Sequence, residues 1–159
     1  MRWAGAGTWA RWSPLVVALA TTGAAQVDAV PKGVIFSQAQ TEKEYAASPV
    51  FDLTPPFWTS SAVDVAGLER GMKNYLAGLD DSRAREIARR LDGYTRQYVG
   101  YTAGGTKWIF VNAFCGDRRH FGYWRDKIVV VMDGGICHFN LRFDVTASRF
   151  EYLQINGEA

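Results

Sequence analysis

Two histidines and two cysteines are the side chains of this 159-residue chain best suited to proton or acyl transfer near neutral pH, and their spacing argues against most catalytic uses. Cys137 and His138 are neighbours in a stretch that alternates like a strand, so they leave opposite faces and cannot form a nucleophile–base pair. Cys115 with His120, or Cys137 with His120, stays geometrically open, but a thiol enzyme needs a free, activated thiolate. His120, His138 and Asp133 lack ligand-like spacing, so no metal and no cofactor is expected. Gly104-Gly105-Thr106-Lys107 reads as a hairpin turn, because it lacks the spacing and following helix of a phosphate-binding loop. A carboxylate pair for glycoside chemistry depends on a separation that a sequence does not carry, and nothing in the chain points to one.

The stronger candidate is a surface for binding. Segment 116–126, with Arg118, Arg119, His120, Phe121, Tyr123, Trp124 and Arg125, interleaves cations with aromatics and is the longest loop expected. Arg, Tyr and Trp bury large area while keeping a polar handle, which is what binding surfaces use. The plainer alternative is a crossing loop whose Phe121 and Trp124 plug one end of the core while the arginines stay wet.

These residues must be positioned by an α+β scaffold. Ser61 with Asp64 forms a capping box, and Val65, Leu68, Met72, Tyr75, Leu76 and Leu79 recur at helical steps. Asp80-Asp81-Ser82 ends that helix and caps a second, with Ala84, Ile87, Ala88 and Leu91 inward. Its arginines, Arg83, Arg85, Arg89 and Arg90, lie among Asp80, Asp81, Glu86 and Asp92, the pattern of a solvated face. From Tyr94 the period becomes two, which predicts strands over 94–102, 107–115, 127–133, 136–144 and 149–155, with turns at 103–106 and Asp133-Gly134-Gly135. The stretch 107–115 is apolar on both sides and should be central. In 136–144, Cys137, Phe139, Leu141 and Phe143 face one way and His138, Asn140 and Arg142 a wetter way. The expected domain, over 60–159, is two N-terminal helices packed on one face of a curled, mostly antiparallel sheet of about five strands. Residues 26–59, with four of the five prolines, read as an extended arm anchored by Phe57 and Trp58.

The opening 25 residues read as an export signal: Arg2 and Arg11, a short apolar core over 15–20, and small residues at Gly23-Ala24-Ala25 or, further on, Val27-Asp28-Ala29. The apolar part is shorter than the ~20 residues a span needs, so the mature chain is expected to be periplasmic or secreted, with no transmembrane segment. Taking 25 residues from 159 leaves 134, enough for one domain. Without Arg2 and Arg11 the 18 Lys+Arg become 16, equal to the 16 Asp+Glu, and this neutrality disfavours nucleic acid as a partner.

Two cysteines in an oxidising compartment argue for one disulfide, Cys115–Cys137. With a strand at 127–133 between them, a plain meander puts them ~20 Å apart, beyond the ~7 Å a disulfide allows. Either they are free, or segment 116–126 crosses the sheet, which residues spanning up to ~35 Å can do; the bond with a crossing loop is the favoured alternative.

Pro56-Phe57-Trp58-Thr59, Arg96-Gln97-Tyr98-Val99-Gly100 with Val111-Asn112-Ala113-Phe114-Cys115, and Asp133-Gly134-Gly135 with Asn156-Gly157 resemble segments of small exported bacterial proteins of unknown function, over about residues 55–159. The resemblance implies no activity and no functional residues. Relatives of that kind can place the second cysteine just before the Asp-Gly-Gly turn, where Met132 stands here. Across a tight hairpin that position neighbours Cys137, which adds support to the same bond. The expected function is an exported, non-enzymatic binding module, whose loop 116–126 and exposed sheet edge engage a protein or cell-envelope component. The alternatives are a small hydrolase or thiol-dependent enzyme using His120 with Cys115, and a structural subunit docking through its 26–59 arm.

Overall fold

Aromatic and β-branched residues dominate from Thr95 onward and produce a long hairpin, and the rest of the sheet assembles on it. In the computed structural model, which describes Met1 and residues 32–47, 51–116 and 118–157, β3 (Thr95–Ala103) and β4 (Thr106–Phe114) pair antiparallel along their full length. Gly104 and Gly105 make the turn at φ +57° and +78°, a backbone that β-branched residues avoid. β5 (His138–Asp144) adds to β4, and β6 (Arg149–Ile155) to β5, both antiparallel. The outer edge of β3 carries two short strands, β1 (Gly33–Ile35) in parallel and β2 (Phe57–Trp58) antiparallel. The sheet is thus six-stranded, mostly antiparallel and open, in the order β1-β3-β4-β5-β6 with β2 beside β3. β4 is central, as its two apolar sides require.

Three α-helices accompany the sheet among the described residues. For α2 (Ala62–Gly78) the Ser61 hydroxyl accepts from the Asp64 amide and the Asp64 carboxylate accepts from the Ser61 amide. For α3 (Ser82–Arg90) the Asp81 carboxylate accepts from the amides of Arg83 and Ala84, contacts that hold Asp81 below the usual carboxylate range. Val65, Leu68, Met72 and Leu76 of α2 and Ala84, Ile87 and Ala88 of α3 join Tyr98, Ile109, Val111, Phe139 and Leu141 in the main core. The arginine-rich side of α3 is a solvated face: Glu86 pairs with Arg89 and Arg90, and Arg85 lies 3.5 Å from Asp80. Under α3, the buried Arg96 guanidinium donates to the carbonyls of Leu91 (2.7 Å) and Tyr94 (3.3 Å), and its Nε lies 3.3 Å from Glu69. The Tyr98 hydroxyl donates to the same Glu69 at 2.7 Å. Burial, then the Glu69 charge, holds that hydroxyl far above its ordinary pKa, so it remains a donor.

The expected leader and its cleavage positions lie outside the described residues apart from Met1. Four other expectations change. The stretch expected to be an extended arm carries β1, β2 and a third helix, α1 (Gln38–Ala47), whose Tyr45 packs edge-on against Phe57 in a second cluster with Phe36, Leu53, Val99, Tyr101 and Phe110. No strand forms over 127–133, because β5 pairs directly with β4 (Phe114 opposite His138) and fills the only adjacent place. Asp133-Gly134-Gly135 is therefore no hairpin turn; Gly135–Cys137 is a short 3-10 turn that leads into β5. With no strand between them, Cys115 and Cys137 face each other across β4 and β5 at a Cα separation of 4.9 Å and form the disulfide. The bond forms with β5 directly beside β4, so the reversed strand over 127–133 that a crossing loop had been expected to deliver is not there.

Gly100 shows how tightly β2 is laid on β3: a Cβ there would meet the Trp58 carbonyl oxygen at 2.3 Å and its ring at 2.9 Å. Gly100→Ala is expected to lose about 2–3 kcal/mol of stability through overpacking, read as a shift in the urea midpoint with an unchanged slope; an unchanged midpoint would show that β2 is free to move away.

Candidate functional site

The side of the sheet expected to be wet is roofed. Gln97, Asn112 and Asn140 stand side by side on β3, β4 and β5, each 1 % exposed or less. The Asn140 amide donates to Asn112 Oδ1 and the Asn112 amide to Gln97 Oε1, both at 2.8 Å. The same side chains hold the chain that crosses above them. Gln97 Nε2 donates to the carbonyls of Trp124 (2.5 Å) and Lys127 (2.7 Å), Gln97 Oε1 accepts from the Val129 amide (2.9 Å), and Asn112 Nδ2 donates to the Val129 carbonyl (2.8 Å). Side chains thus supply hydrogen bonds that a neighbouring strand would have supplied, and 128–131 joins no ladder. The disulfide and a 2.8 Å bond from the Cys115 amide to the Cys137 carbonyl close the base of the excursion. Asn156 Nδ2, beyond β6, donates to the Val131 carbonyl at 2.5 Å.

The seven residues expected to form a binding loop divide by this geometry. Trp124, 4 % exposed, packs with Phe114 and Val129, and Phe121 is half-buried against the Phe114 ring at 5.1 Å. These two aromatics anchor the roof. Arg119, His120, Tyr123 and Arg125 are exposed, and the Arg125 guanidinium lies over the Trp124 ring at 4.1 Å. The side chain of Arg118 lies outside the described residues. His120 has no thiol to activate, since both cysteines are in the disulfide. Among the described residues no three His, Cys, Asp or Glu side chains are grouped to hold a metal.

His138, expected on a wetter face, lies beneath the roof at 1 % exposure, and neither ring nitrogen makes a well-formed hydrogen bond. Burial pulls its pKa below the ordinary 6.5, opposed by the nearby Asn156 side chain and Val129 backbone.

A further site was not expected. Tyr101, Ala103, Trp108, Arg142, Glu151 and Tyr152 line an open cleft of about 500 Å³ on the same side of the sheet. A bulge in β6 builds it: Leu141 pairs with Leu153 but Arg142 with Glu151, leaving Tyr152 as the extra residue at φ +56°. The Tyr152 ring then lies 4.6 Å from the Arg142 guanidinium. Burial raises the Tyr101 hydroxyl above its ordinary pKa, with Arg142 opposing and Glu151 adding, so both charges reach it. The chain matches no family model, no curated protein and no solved structure. A groove of about 320 Å³ between α2 and the β5–β6 hairpin offers less, because Asp64, one of its two charged lining residues with Arg70, is committed to the α2 cap. The signals that were present for the cleft are Arg142 on the polar side of its strand and the aromatic content of 149–155; the bulge that turns Tyr152 onto Arg142 has no sequence signature.

Gln97→Leu would leave the Val129 amide and two carbonyls without their partner. The expected cost is about 3 kcal/mol or more, at ~1–3 kcal/mol per orphaned buried group, with faster hydrogen exchange at Val129 than at β4 amides. Uniform exchange across both would show that the roof is not held by this contact. His138 gives a pH dependence of definite sign. The folded state favours the neutral ring, so stability is complete above the unfolded pKa and falls as pH drops through it toward the lower folded value. Urea melts at about pH 7 and about pH 5 should show this loss, and His138→Phe should remove that slope.

Proposed function

We propose that this protein is an exported, non-enzymatic binding module that engages an anionic component of the cell envelope through the outward side of the roof. Membership of a group of small exported proteins belongs to the same proposal. The observation that carries it is the anchoring of the excursion: a buried amide ladder and a disulfide fix a segment with no strand and only short turns, while Arg119, His120, Tyr123, Arg125 and Lys127 are left exposed. Binding groups are typically carried on loops positioned by a rigid scaffold. Arg125 illustrates the device, since stacking on Trp124 orients its guanidinium plane and leaves the N–H edges for a partner. An oxidising location is compatible with the disulfide, and no helix among the described residues is long and apolar enough to cross a membrane. The thiol-enzyme reading has less support, because it needs a cysteine outside the disulfide.

The test is sedimentation with vesicles of phosphatidylglycerol and, in parallel, of phosphatidylcholine. Binding to the anionic vesicles alone, weakening with salt, is expected. Arg125→Glu with Lys127→Glu should reduce it by at least about tenfold, from ~1 kcal/mol per cation near an anionic surface. Equal binding of the variant, with an unchanged melt, would remove the roof from the proposal.

A further inference from the structure

The cleft at the β6 bulge has the chemistry of a ligand site, and none of the residues that line it belongs to the roof. Its floor is set by cross-strand register: Tyr101 stands opposite Trp108 on β3 and β4, and Arg142 opposite Glu151 on β5 and β6. Three aromatic side chains therefore surround one cation and one anion. The two charges are not equally engaged. Glu151 is already paired with Arg149 at 2.5 Å. Arg142 makes no ion pair or hydrogen bond among the described residues, its Nε is buried without a partner, and its one contact of note is the face of Tyr152. A guanidinium held in place by stacking keeps its donors for an incoming acceptor, and its fork matches a carboxylate.

We propose that this cleft binds a sugar ring bearing a carboxylate. The apolar faces of half-buried Trp108 and exposed Tyr152 suit the C–H face of a pyranose, the nearly buried Tyr101 closes the floor beneath them, and Arg142 takes the carboxylate. The Glu151 oxygens and the Tyr101 hydroxyl accept from and donate to ring hydroxyls. A volume of about 500 Å³ suits one or two sugar units, within the ~300–1,000 Å³ of small-ligand sites. Glu151 is the only carboxylate in the lining. Glycosidic cleavage ordinarily uses a pair, so the sugar is held and not hydrolysed. Tyr152 supplies the second sign of a built site. A tyrosine at φ +56° is an unfavourable backbone, and here it places the ring over Arg142.

This inference rests on the binding-module reading, but its test is separate from that of the roof. Calorimetric titration of the full chain uses digalacturonate and N-acetylmuramic acid as acidic-sugar probes, with cellobiose and benzoate as controls. At least one acidic sugar should bind, with cellobiose and benzoate at least tenfold weaker. Arg142→Gln should weaken binding at least tenfold. Tyr152→Gly should do the same while leaving the thermal midpoint unchanged or higher, since it removes the ring and the backbone strain together. Arg125→Glu with Lys127→Glu should leave sugar binding intact, so failure on vesicles and failure here are read independently. The proposal is overturned if neither acidic sugar binds by about 10 mM, beyond the weak end of ordinary affinities. It is equally overturned if cellobiose or benzoate binds as tightly, or if Arg142→Gln binds like the parent.

Discussion

The excursion that roofs one side of the sheet hangs from a row of three amide side chains. Gln97, Asn112 and Asn140 are aligned on consecutive strands by the ladder itself, so the hydrogen bonds among them follow from register. Once aligned, they must be satisfied, because a buried amide without partners is costly. Part of that demand is met within the row and the rest by the backbone of Trp124, Lys127 and Val129. The sheet thus dictates where the excursion runs, and the excursion repays the sheet by burying Phe114 under Trp124 and Val129. Such networks are cooperative, and a row that is complete fixes one arrangement while a row with a gap favours none.

The two sides of the sheet use different physics. Against α2 and α3 the contact is apolar, broken mainly by the Arg96–Glu69–Tyr98 group. On the opposite side, the amide row, a small apolar cluster with α1 and the aromatic cleft follow one another along β3 and β4. Specific polar contacts fix geometry more sharply than apolar ones, which are tolerant of direction. The polar side is accordingly the one able to position surface groups, and both candidate binding surfaces lie there.

Much of the scaffold was legible in the sequence. The α2 and α3 caps and faces, the Gly104-Gly105 turn, the central place of β4 and the cysteine pairing all follow from local chemistry that the fold obeys. What was hidden has specific causes. Helix α1 has almost no apolar periodicity, and its one signal is the Ser37–Gln40 capping pair. The run Ile128-Val129-Val130-Val131 has strand composition, yet side chains and not a neighbouring strand bind its backbone. Composition alone cannot tell those partners apart. Two of the loop's three aromatic residues, Phe121 and Trp124, proved to be anchorage, because the excursion folds back to set them against Phe114 at the end of β4. The cleft depends on a bulge, and a single inserted residue in a strand leaves no pattern to read.

The roofing of Gln97, Asn112 and Asn140 has a dynamic corollary. Most covers in proteins cannot lift without exposing oil to water. This one conceals a row of amides that water solvates well, plus a small apolar cluster at Phe114, Trp124 and Val129. Lifting it trades protein hydrogen bonds for hydration, an exchange of small net cost per bond, and the disulfide keeps both ends of the excursion at its base. If the segment does open, the disulfide tethers it and β3, β4 and β5 keep their own ladder, so the cost falls on the amide contacts and the Phe114 cluster and not on the sheet.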